Sequence, residues 1–183
     1  MQPKVYSIQP DRDDRWNRFV QNHPLGWVCH LREWKIILEE SFPNIKGYYY
    51  VCLDDEEKNI RSALPLFLVK SRIMKKRIVS IPFSSICDIM VTTNEDYHAL
   101  VEQSVKLVKE TESTYVEFRT IQSVLPALNK LACHLPCYKH HFLNLKLGID
   151  KLQEGFHRTC IKQRINRAYK SKLDLIIGNY LDD

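Results

Sequence analysis

Residues 48–82 carry three strand-like runs: Tyr48-Tyr-Tyr-Val-Cys-Leu53, Ile60-Arg-Ser-Ala-Leu-Pro-Leu-Phe-Leu-Val-Lys70 and Arg77-Ile-Val-Ser-Ile81. Aromatic and β-branched side chains dominate the runs, and the polar stretch 54–59 between the first two is typical of a turn. A basic cluster falls at the second expected turn, where we interpret it as solvated: Lys70, Arg72, Lys75, Lys76 and Arg77. The pattern therefore predicts a three-stranded meander. Because proline has no N–H to donate, Pro65 requires a strand edge or a bulge.

On the N-terminal side of this meander the period changes from strand to helix. Lys4 to Ile8 predicts a short strand that Pro10 ends. Asp11 is the expected cap of a helix that runs to about Asn22. A second helix is predicted from about Leu31 to Glu40, and the side chains expected on its buried side are Trp34, Ile37 and Leu38.

On the C-terminal side, helices and strands alternate. Asn94 or Asp96 is expected to cap a helix that continues to Glu110, with an apolar side made of Leu100, Val101, Val105, Leu107 and Val108. The following elements are predicted as a strand Tyr115 to Arg119, a helix Val124 to Cys133, a strand Lys139 to Leu147, a helical region Asp150 to Lys172 and a strand Leu173 to Asn179. This order predicts an α/β (α+β) fold with a central mixed, mostly antiparallel sheet flanked by helices. We expect one domain over residues 1–183.

Composition excludes several classes of protein. The chain has 183 residues, of which 44% are hydrophobic and 27% charged, so an intrinsically disordered chain is excluded. No apolar stretch approaches the roughly 20 residues that a membrane-spanning helix needs. The N-terminus lacks the apolar region of a secretory signal, so a cytoplasmic location is expected. In that compartment the six cysteines are expected to be buried free thiols.

Positive charge is concentrated near the C-terminus. The net charge is +5, and residues 156–172 contain six basic residues and no acid. In this helical segment Ile161, Ile165 and Ala168 form an apolar stripe, and basic side chains point away from it. Such a face can attract phosphate or nucleic acid, although a simple solvated helix surface is the alternative.

Four ordered segments resemble one known family. The run Trp16-x-x-Phe19-Val20-x-x-His23-Pro24-x-Gly26-x-x-x-His30-x-x-x-Trp34 resembles the opening of the Fem-type (FemAB-related) proteins of the GNAT acyltransferase superfamily. Three further segments are similar to family segments in the same order: Leu64-Pro-Leu-Phe67 with Val79-Ser-Ile-Pro-Phe83, Tyr115-Val-Glu-Phe-Arg119, and Arg164-Ile-Asn-Arg-Ala168-x-Lys170.

This resemblance implies a GNAT-like fold and the transfer of an acyl or aminoacyl group to an amine. Family members act on peptidoglycan precursors, and related branches accompany polysaccharide or other cell-envelope gene sets. The implied donor is acyl-CoA or aminoacyl-tRNA, with no tightly bound cofactor. The family usually has two GNAT-like halves, so we expect this chain to be the N-terminal half. Its partner would then be a second half or another copy in a homodimer.

Three residues depart from the family pattern. Cys87 and Asp88 stand where the family commonly has a glycine pair, and Ile37 stands where well-studied transferases carry a substrate-contacting lysine. No two glycines of this chain are close enough to form the Gly-rich turn that cradles pyrophosphate. A CoA site within this segment alone is therefore not expected.

The resemblance and the charge pattern together nominate the ligand-binding residues: Arg164, Arg167, Lys170, His30, Trp34 and Arg119. Arginine can bind a phosphate with two parallel hydrogen bonds, as a nucleotide-linked precursor or tRNA would require. His30 instead caps a helix or packs against Trp34 in the alternative interpretation. Glu117 and Arg119 share one strand face, and a structural salt bridge between them is the expectation.

The catalytic residue is not assigned by the sequence. Amine acyl transfer needs a base, and the candidates are His30, Glu117 and the pair His140 and His141. The segment 133–141 also contains two cysteines beside histidines, which suggests zinc. Its spacing is not that of a standard zinc knuckle, so no metal is expected.

Two other functions remain open at this point. The chain is either a binding module that holds RNA or an anionic ligand on its basic helix without chemistry, or a truncated half-enzyme with no autonomous role. Salt-sensitive RNA binding would favour the first, and self-association through an apolar patch would favour the second.

Overall fold

The structure is a computed structural model that describes residues 3–71, 73, 75–121 and 143–171. The chain divides into two compact units, residues 1–129 and 130–183, and each is described by itself. The prediction of one domain over 1–183 stays a prediction.

The first unit contains five strands and three α-helices within its described residues. In chain order they are β1 (Val5–Ile8), α1 (Arg15–Asn22), α2 (Arg32–Ser41), β2 (Ile45–Leu53), β3 (Ile60–Ser71), β4 (Lys75–Val79), α3 (Asn94–Glu110) and β5 (Val116–Glu117). Strand boundaries lie within three residues of the predicted ones, because turn residues bound the apolar and aromatic runs.

The strands form one mixed sheet in the order β1-β2-β3-β4-β5. The first four are antiparallel neighbours, whereas β4 and β5 are parallel. Helix α3 makes the crossover that a parallel pair requires. The predicted mixed, mostly antiparallel sheet flanked by helices is confirmed.

Helices cover both faces of this sheet. On one face α1 and α2 bury Trp16, Leu38, Tyr49 and Phe67 among others. On the opposite face α3 packs Leu100 and its neighbours against β2 and β3. At about 25 cal/mol for each Å² of apolar surface removed from water, these two cores supply most of the stabilisation of the unit.

Pro65 occupies a local edge inside the central strand β3. The neighbouring Ala63 exchanges backbone hydrogen bonds with Met90, at 2.7 and 3.1 Å, on the side of β3 that faces away from β2. Alternation along the strand turns the nitrogen of Pro65 to that same side. There β4 has already ended, at Val79 opposite Phe67. The predicted edge position is confirmed, and the missing N–H leaves no ladder bond unmade.

The caps and the buried side of two helices differ from the predictions. Asp11 does not cap α1, because residues 10–12 form a separate 3₁₀ turn and the helix begins at Arg15. Thr93 caps α3 by accepting a hydrogen bond from the Asp96 N–H at 3.1 Å, so the predicted Asn94 and Asp96 caps are wrong. A cap needs only a short oxygen-bearing side chain, and adjacent candidates look alike in a sequence.

Two apolar residues predicted to be buried are exposed. Ile37 is 54% exposed and Val105 is 38% exposed. On α2 Lys35 is buried where Ile37 was expected to be. Its ammonium lies 2.8 Å from Glu39 and 3.1 Å from Asp11. A lysine can be buried when its charge is paired and its methylene stem packs against apolar side chains.

The second unit is described over residues 143–171. It contains α4 (Ile149–Glu154), a π-helical turn at Arg158–Lys162 and α5 (Gln163–Lys170). Leu145–Leu147 forms a 3₁₀ turn, so the predicted strand 139–147 does not include these residues. The rest of that strand, the predicted helix 124–133 and the predicted strand 173–179 lie outside the described residues. Within the described ranges, the helices are too short or too polar to cross a bilayer.

Candidate functional site

The candidate site lies at the carboxyl ends of the parallel strands β4 and β5. The chain leaving β4 stays bonded to the chain leaving β5: Ser80 N–H donates to the Glu117 carbonyl at 2.9 Å, and Cys87 N–H donates to the Arg119 carbonyl at 2.7 Å. In open α/β sheets, ligands bind beside the carboxyl ends of parallel strands. This location gathers the side chains described below.

Glu117 and Arg119 form an ion pair at this edge. Arg119 Nε donates to Glu117 Oε1 at 2.7 Å, and its Nη1 donates to the Ser84 carbonyl at 3.1 Å. The predicted salt bridge is confirmed. Both side chains keep about a third of their surface exposed, 34% for Arg119 and 36% for Glu117. A carboxylate held in one orientation and still open to solvent can accept a hydrogen bond from a ligand.

Trp34 joins α2 to the segment that follows β4. Its indole N–H donates to the Pro82 carbonyl at 3.4 Å. The next residue, Phe83, has a positive φ of 61° and remains 66% exposed. Its ring stacks on Phe42 with centroids 5.1 Å apart. A bulky residue at positive φ is strained, and such strain concentrates at functional sites. The Phe42–Phe83 stack is therefore part of the candidate site.

His30 lies beneath the site rather than in it. The residue is 1% exposed, and burial lowers the pKa of its imidazole to about 4. Nδ1 accepts the Trp27 backbone N–H at 3.0 Å, so in the neutral ring Nε2 carries the proton. Nε2 lies 3.4 Å from Cys87 Sγ. The structure thus gives His30 a role in fixing the Trp27 turn, and its predicted ligand contact stays a prediction.

The cysteines of the first unit are buried free thiols, as predicted, at Cys29, Cys52 and Cys87. Burial raises the pKa of the Cys87 thiol, so it remains protonated near neutral pH. Cys87 beside His30 is therefore not an activated nucleophile. Cys160 in the second unit is also free but exposed, so the prediction of burial is wrong there. Segment 133–141, considered above for zinc, lies outside the described residues.

The N-terminus of α3 already holds a carboxylate. Asp96, in the first turn of that helix, is fully buried and accepts hydrogen bonds from Arg61 Nε at 2.8 Å and from Ser62 Oγ at 2.7 Å. A carboxylate in the first turn of a helix also interacts favourably with the partial positive charge at the helix N-terminus. This end of α3 therefore serves to stabilise the fold.

The remaining predicted ligand-binding residues lie on α5 in the second unit. Arg164, Arg167 and Lys170 are exposed and form no ion pair with the described residues of that unit, residues 143–171. The acids in this range are Asp150 and Glu154, against seven lysines and arginines. The charge of α5 is therefore available to an anion.

The structure brings three predicted site residues, His30, Trp34 and Arg119, to the segment 80–88. Sequence reasoning did not nominate Ser80 and Ser84, which bond Arg119, or the Phe42–Phe83 stack. Two signals pointed to them: polar residues directly after a buried strand, and the irregular composition of 82–88. Backbone strain at Phe83 has no signature in the sequence.

The chain was compared with known proteins. No family model matches it, and no curated protein matches it. Among solved structures, FemX is similar with a TM-score of 0.47 and 15% identity over 60% of this chain and 25% of FemX. A probable acetyltransferase (TM-score 0.41, 14% identity) covers 78% of this chain and 97% of its own. A putative acetyl transferase from Pyrococcus furiosus (TM-score 0.40, 13% identity) covers 75% and 100%.

The part of FemX that is matched spans a quarter of that protein, so the activity and substrates of the whole protein do not transfer to this chain. At these TM-scores the similarities carry no argument about substrate or mechanism. FemX and two acetyltransferases are thus among the solved structures to which the chain is similar.

Proposed function

We propose that the first unit binds the amine acceptor of a Fem/GNAT-type N-acyltransferase or aminoacyltransferase of cell-envelope or polysaccharide metabolism. The observation that supports this most is the Glu117–Arg119 pair, about a third exposed to solvent at the carboxyl ends of two parallel strands. The exposed Phe42–Phe83 stack extends the same edge with an apolar surface.

Amine acyl transfer requires a base, polarisation of the acyl carbonyl and positioning of both reactants. The Glu117 carboxylate is the group in this cluster that can accept a proton from an ammonium or amine. Arg119 orients that carboxylate through the 2.7 Å bond and contributes a positive charge beside it. His30 is excluded from this role in the described conformation, because its ring is buried and both nitrogens are engaged.

The proposed donor is acyl-CoA or aminoacyl-tRNA, both of which carry phosphates. The basic residues of α5 offer guanidinium groups for such phosphates. In this proposal, a second GNAT-like half or another copy of the chain completes the donor site.

The test measures acyl transfer by the full chain. Acetyl-CoA is followed by thiol release and radiolabelled aminoacyl-tRNA by transfer of label, each with glucosamine and a lysine-containing peptide as acceptors. Glu117→Gln should lower kcat/KM by about 100-fold, the range for loss of a general base, without a change in Tm. The matched control is Glu112→Gln, because Glu112 is 84% exposed and pairs with Lys76 away from the site.

If the wild type transfers the acyl group and Glu117→Gln does so at the same rate, Glu117 does not act as the base. No transfer from either donor would overturn the version of the proposal in which another copy of this chain completes the donor site. It would favour a second candidate, a non-catalytic module that holds RNA or another polyanion on α5. Arg164, Arg167 and Lys170, which form no ion pair within residues 143–171, favour this second candidate.

A further inference from the structure

A cavity of about 380 Å³ opens between α1 and the start of β3 in the first unit. Arg15, Arg18, Phe19 and Asn22 line one side of it, and their spacing of three and four residues places them on one face of α1. The opposite side is formed by residues at the N-terminal end of β3 and before α3: Asn59, Ile60, Arg61 and Thr92. The volume lies within the range of small-molecule sites, roughly 300–1,000 Å³.

Two of the three arginines that line the cavity are each hydrogen-bonded to a carboxylate outside the lining. Arg15 donates to Asp13 through Nε at 2.9 Å and Nη2 at 2.7 Å. Arg61 donates to Asp96 through Nε and Nη2, both at 2.8 Å. The two carboxylates are not among the lining residues. Each guanidinium is thus fixed in place before any ligand arrives, which lowers the entropic cost of binding.

Arg18 is the lining arginine whose charge has no partner among the residues that the structure describes. Its side chain is exposed, and it takes part in no ion pair there. Arg15 is paired with Asp13, and Arg61 is paired with Asp96 and, at 3.6 Å, with the exposed Asp55. Arg18 is thus the guanidinium of the lining that is left for an anion. A single unneutralised guanidinium matches one carboxylate or phosphate.

The remaining lining favours a flat apolar group. Phe19 is fixed by ring contacts to Trp16 and His23, with centroids 6.4 and 5.2 Å away. His23 is fixed in turn, because its Nδ1 accepts the Leu25 N–H at 3.1 Å. Pro24 and Ile60 complete an apolar wall. An aromatic ring held in place offers an edge or face to a planar ligand, and a guanidinium stacks on the same kind of surface.

We propose that this cavity binds a small anion, a carboxylate or phosphate carried on a flat apolar group, with Arg18 bonding the anion and Phe19 contacting the flat group. The site shares no lining residue with the Glu117–Arg119 cluster, so the proposal does not depend on the proposed function. Small aromatic acids and nucleoside monophosphates both have this chemistry.

Isothermal titration calorimetry on the full chain tests the proposal with four probes. Benzoate and adenosine monophosphate carry both features, inorganic phosphate carries the anion alone, and benzyl alcohol carries the ring alone. Benzoate or adenosine monophosphate should bind at least about 10-fold more tightly than the other two, because inorganic phosphate lacks the apolar contact and benzyl alcohol lacks the charged hydrogen bond. Tighter binding of benzoate would indicate an aromatic acid as the ligand, and tighter binding of adenosine monophosphate would indicate a nucleotide.

Two variants locate the site. Arg18→Gln should weaken binding about 10-fold or more, and Phe19→Leu should remove the advantage of benzoate over inorganic phosphate. Arg12→Gln is the matched control, because it removes an equal charge from an exposed position outside the cavity. Equal losses in Arg18→Gln and Arg12→Gln, or no binding of any probe at millimolar concentration, would overturn the proposal.

Discussion

The Nε2 atom of His30 lies 3.4 Å from the Sγ atom of Cys87, and both side chains are buried. The contact joins the turn before α2 to the segment that follows β4, in which the Ser84 carbonyl accepts a hydrogen bond from Arg119. Because Nδ1 accepts the Trp27 N–H, the ring is neutral and Nε2–H points toward the sulfur. The His30–Cys87 contact stabilises the turn before α2 against the segment after β4 only while the imidazole is unprotonated.

The stability of the first unit should therefore depend on pH between about 6.5 and 4. The pKa of His30 is about 4 in the folded chain, where burial lowers it, against the ordinary 6.5 in the unfolded chain. The unfolded state binds the proton first, so His30 favours folding above pH 6.5, and this contribution is lost as the pH falls. The loss approaches roughly 3 kcal/mol by pH 4. Urea unfolding followed by circular dichroism across this pH range measures it.

His30→Asn should flatten this pH dependence, since the Asn Oδ1 can still accept the Trp27 N–H but does not titrate. His98→Asn is the control, because His98 is exposed on α3. If His30→Asn retained the full slope between pH 6.5 and 4, another group would be responsible for it.

Asp96 should be the carboxylate with the largest effect on stability among those that pair with Arg61. Burial alone would raise the pKa of Asp96, but hydrogen bonds from Arg61 and Ser62 outweigh it and hold that pKa below its ordinary value. Asp96→Asn removes one partner of a buried pair and should cost about 3 kcal/mol of unfolding free energy. The stabilisation by wild-type Asp96 is present above pH about 4 and is lost as the pH falls through its lowered pKa.

Asp55 provides the comparison for Asp96. Asp55 also pairs with Arg61, at 3.6 Å, but its side chain is fully exposed. Asp55→Asn should change the unfolding free energy by less than about 0.5 kcal/mol, the usual range for an exposed pair. Equal losses in the two variants would show that burial does not set the strength of these ion pairs. Guanidinium unfolding curves at pH 7 give both values.

The sheet could be predicted from the sequence because each strand alternates between two buried faces, and a one-residue error would reverse every side chain. Pro65 even identified a local strand edge, because a proline nitrogen can lie only where no donor is required. The buried side of α2 could not be predicted. Lys35 is buried there because it pairs with Glu39, four residues later on α2, and with Asp11 from the turn before α1. The contact with Asp11 has no local sequence pattern.

The candidate site could be predicted only in part. Glu117 and Arg119 were recognisable as a pair because residues two apart share a strand face. Their partners Ser80 and Ser84 meet them only through the parallel pairing of β4 with β5, which joins residues far apart in sequence. For the same reason, the cavity between α1 and β3 has no sequence signature.

Gly26 should tolerate no side chain. A Cβ atom there would lie 1.9 Å from the backbone carbonyl oxygen of Val20 in α1, which cannot yield as a flexible side chain would. Gly26→Ala should lower the unfolding free energy by about 3 kcal/mol, at the upper end of overpacking costs. In Gly155→Ala the nearest atom would be 3.5 Å away, so that variant should be neutral or stabilised by less than about 1 kcal/mol. Thermal unfolding that found Gly26→Ala as stable as wild type would show that the turn after α1 can shift.

The last prediction concerns the basic residues of α5, which have no ion-pair partner in the described part of the second unit. If its basic residues bind a phosphate backbone, Arg167→Ala should weaken binding of a fluorescein-labelled oligouridylate and lower the slope of log K against log salt by about 0.7. Because Arg167 is exposed, the Tm should stay nearly unchanged. Lys146→Ala, outside α5 in the same unit, should leave the affinity close to that of wild type. Fluorescence anisotropy at several salt concentrations measures the affinity of both variants. Equal affinity of Arg167→Ala and wild type would exclude Arg167 from an anion site, because removal of a guanidinium that binds phosphate must lower the affinity.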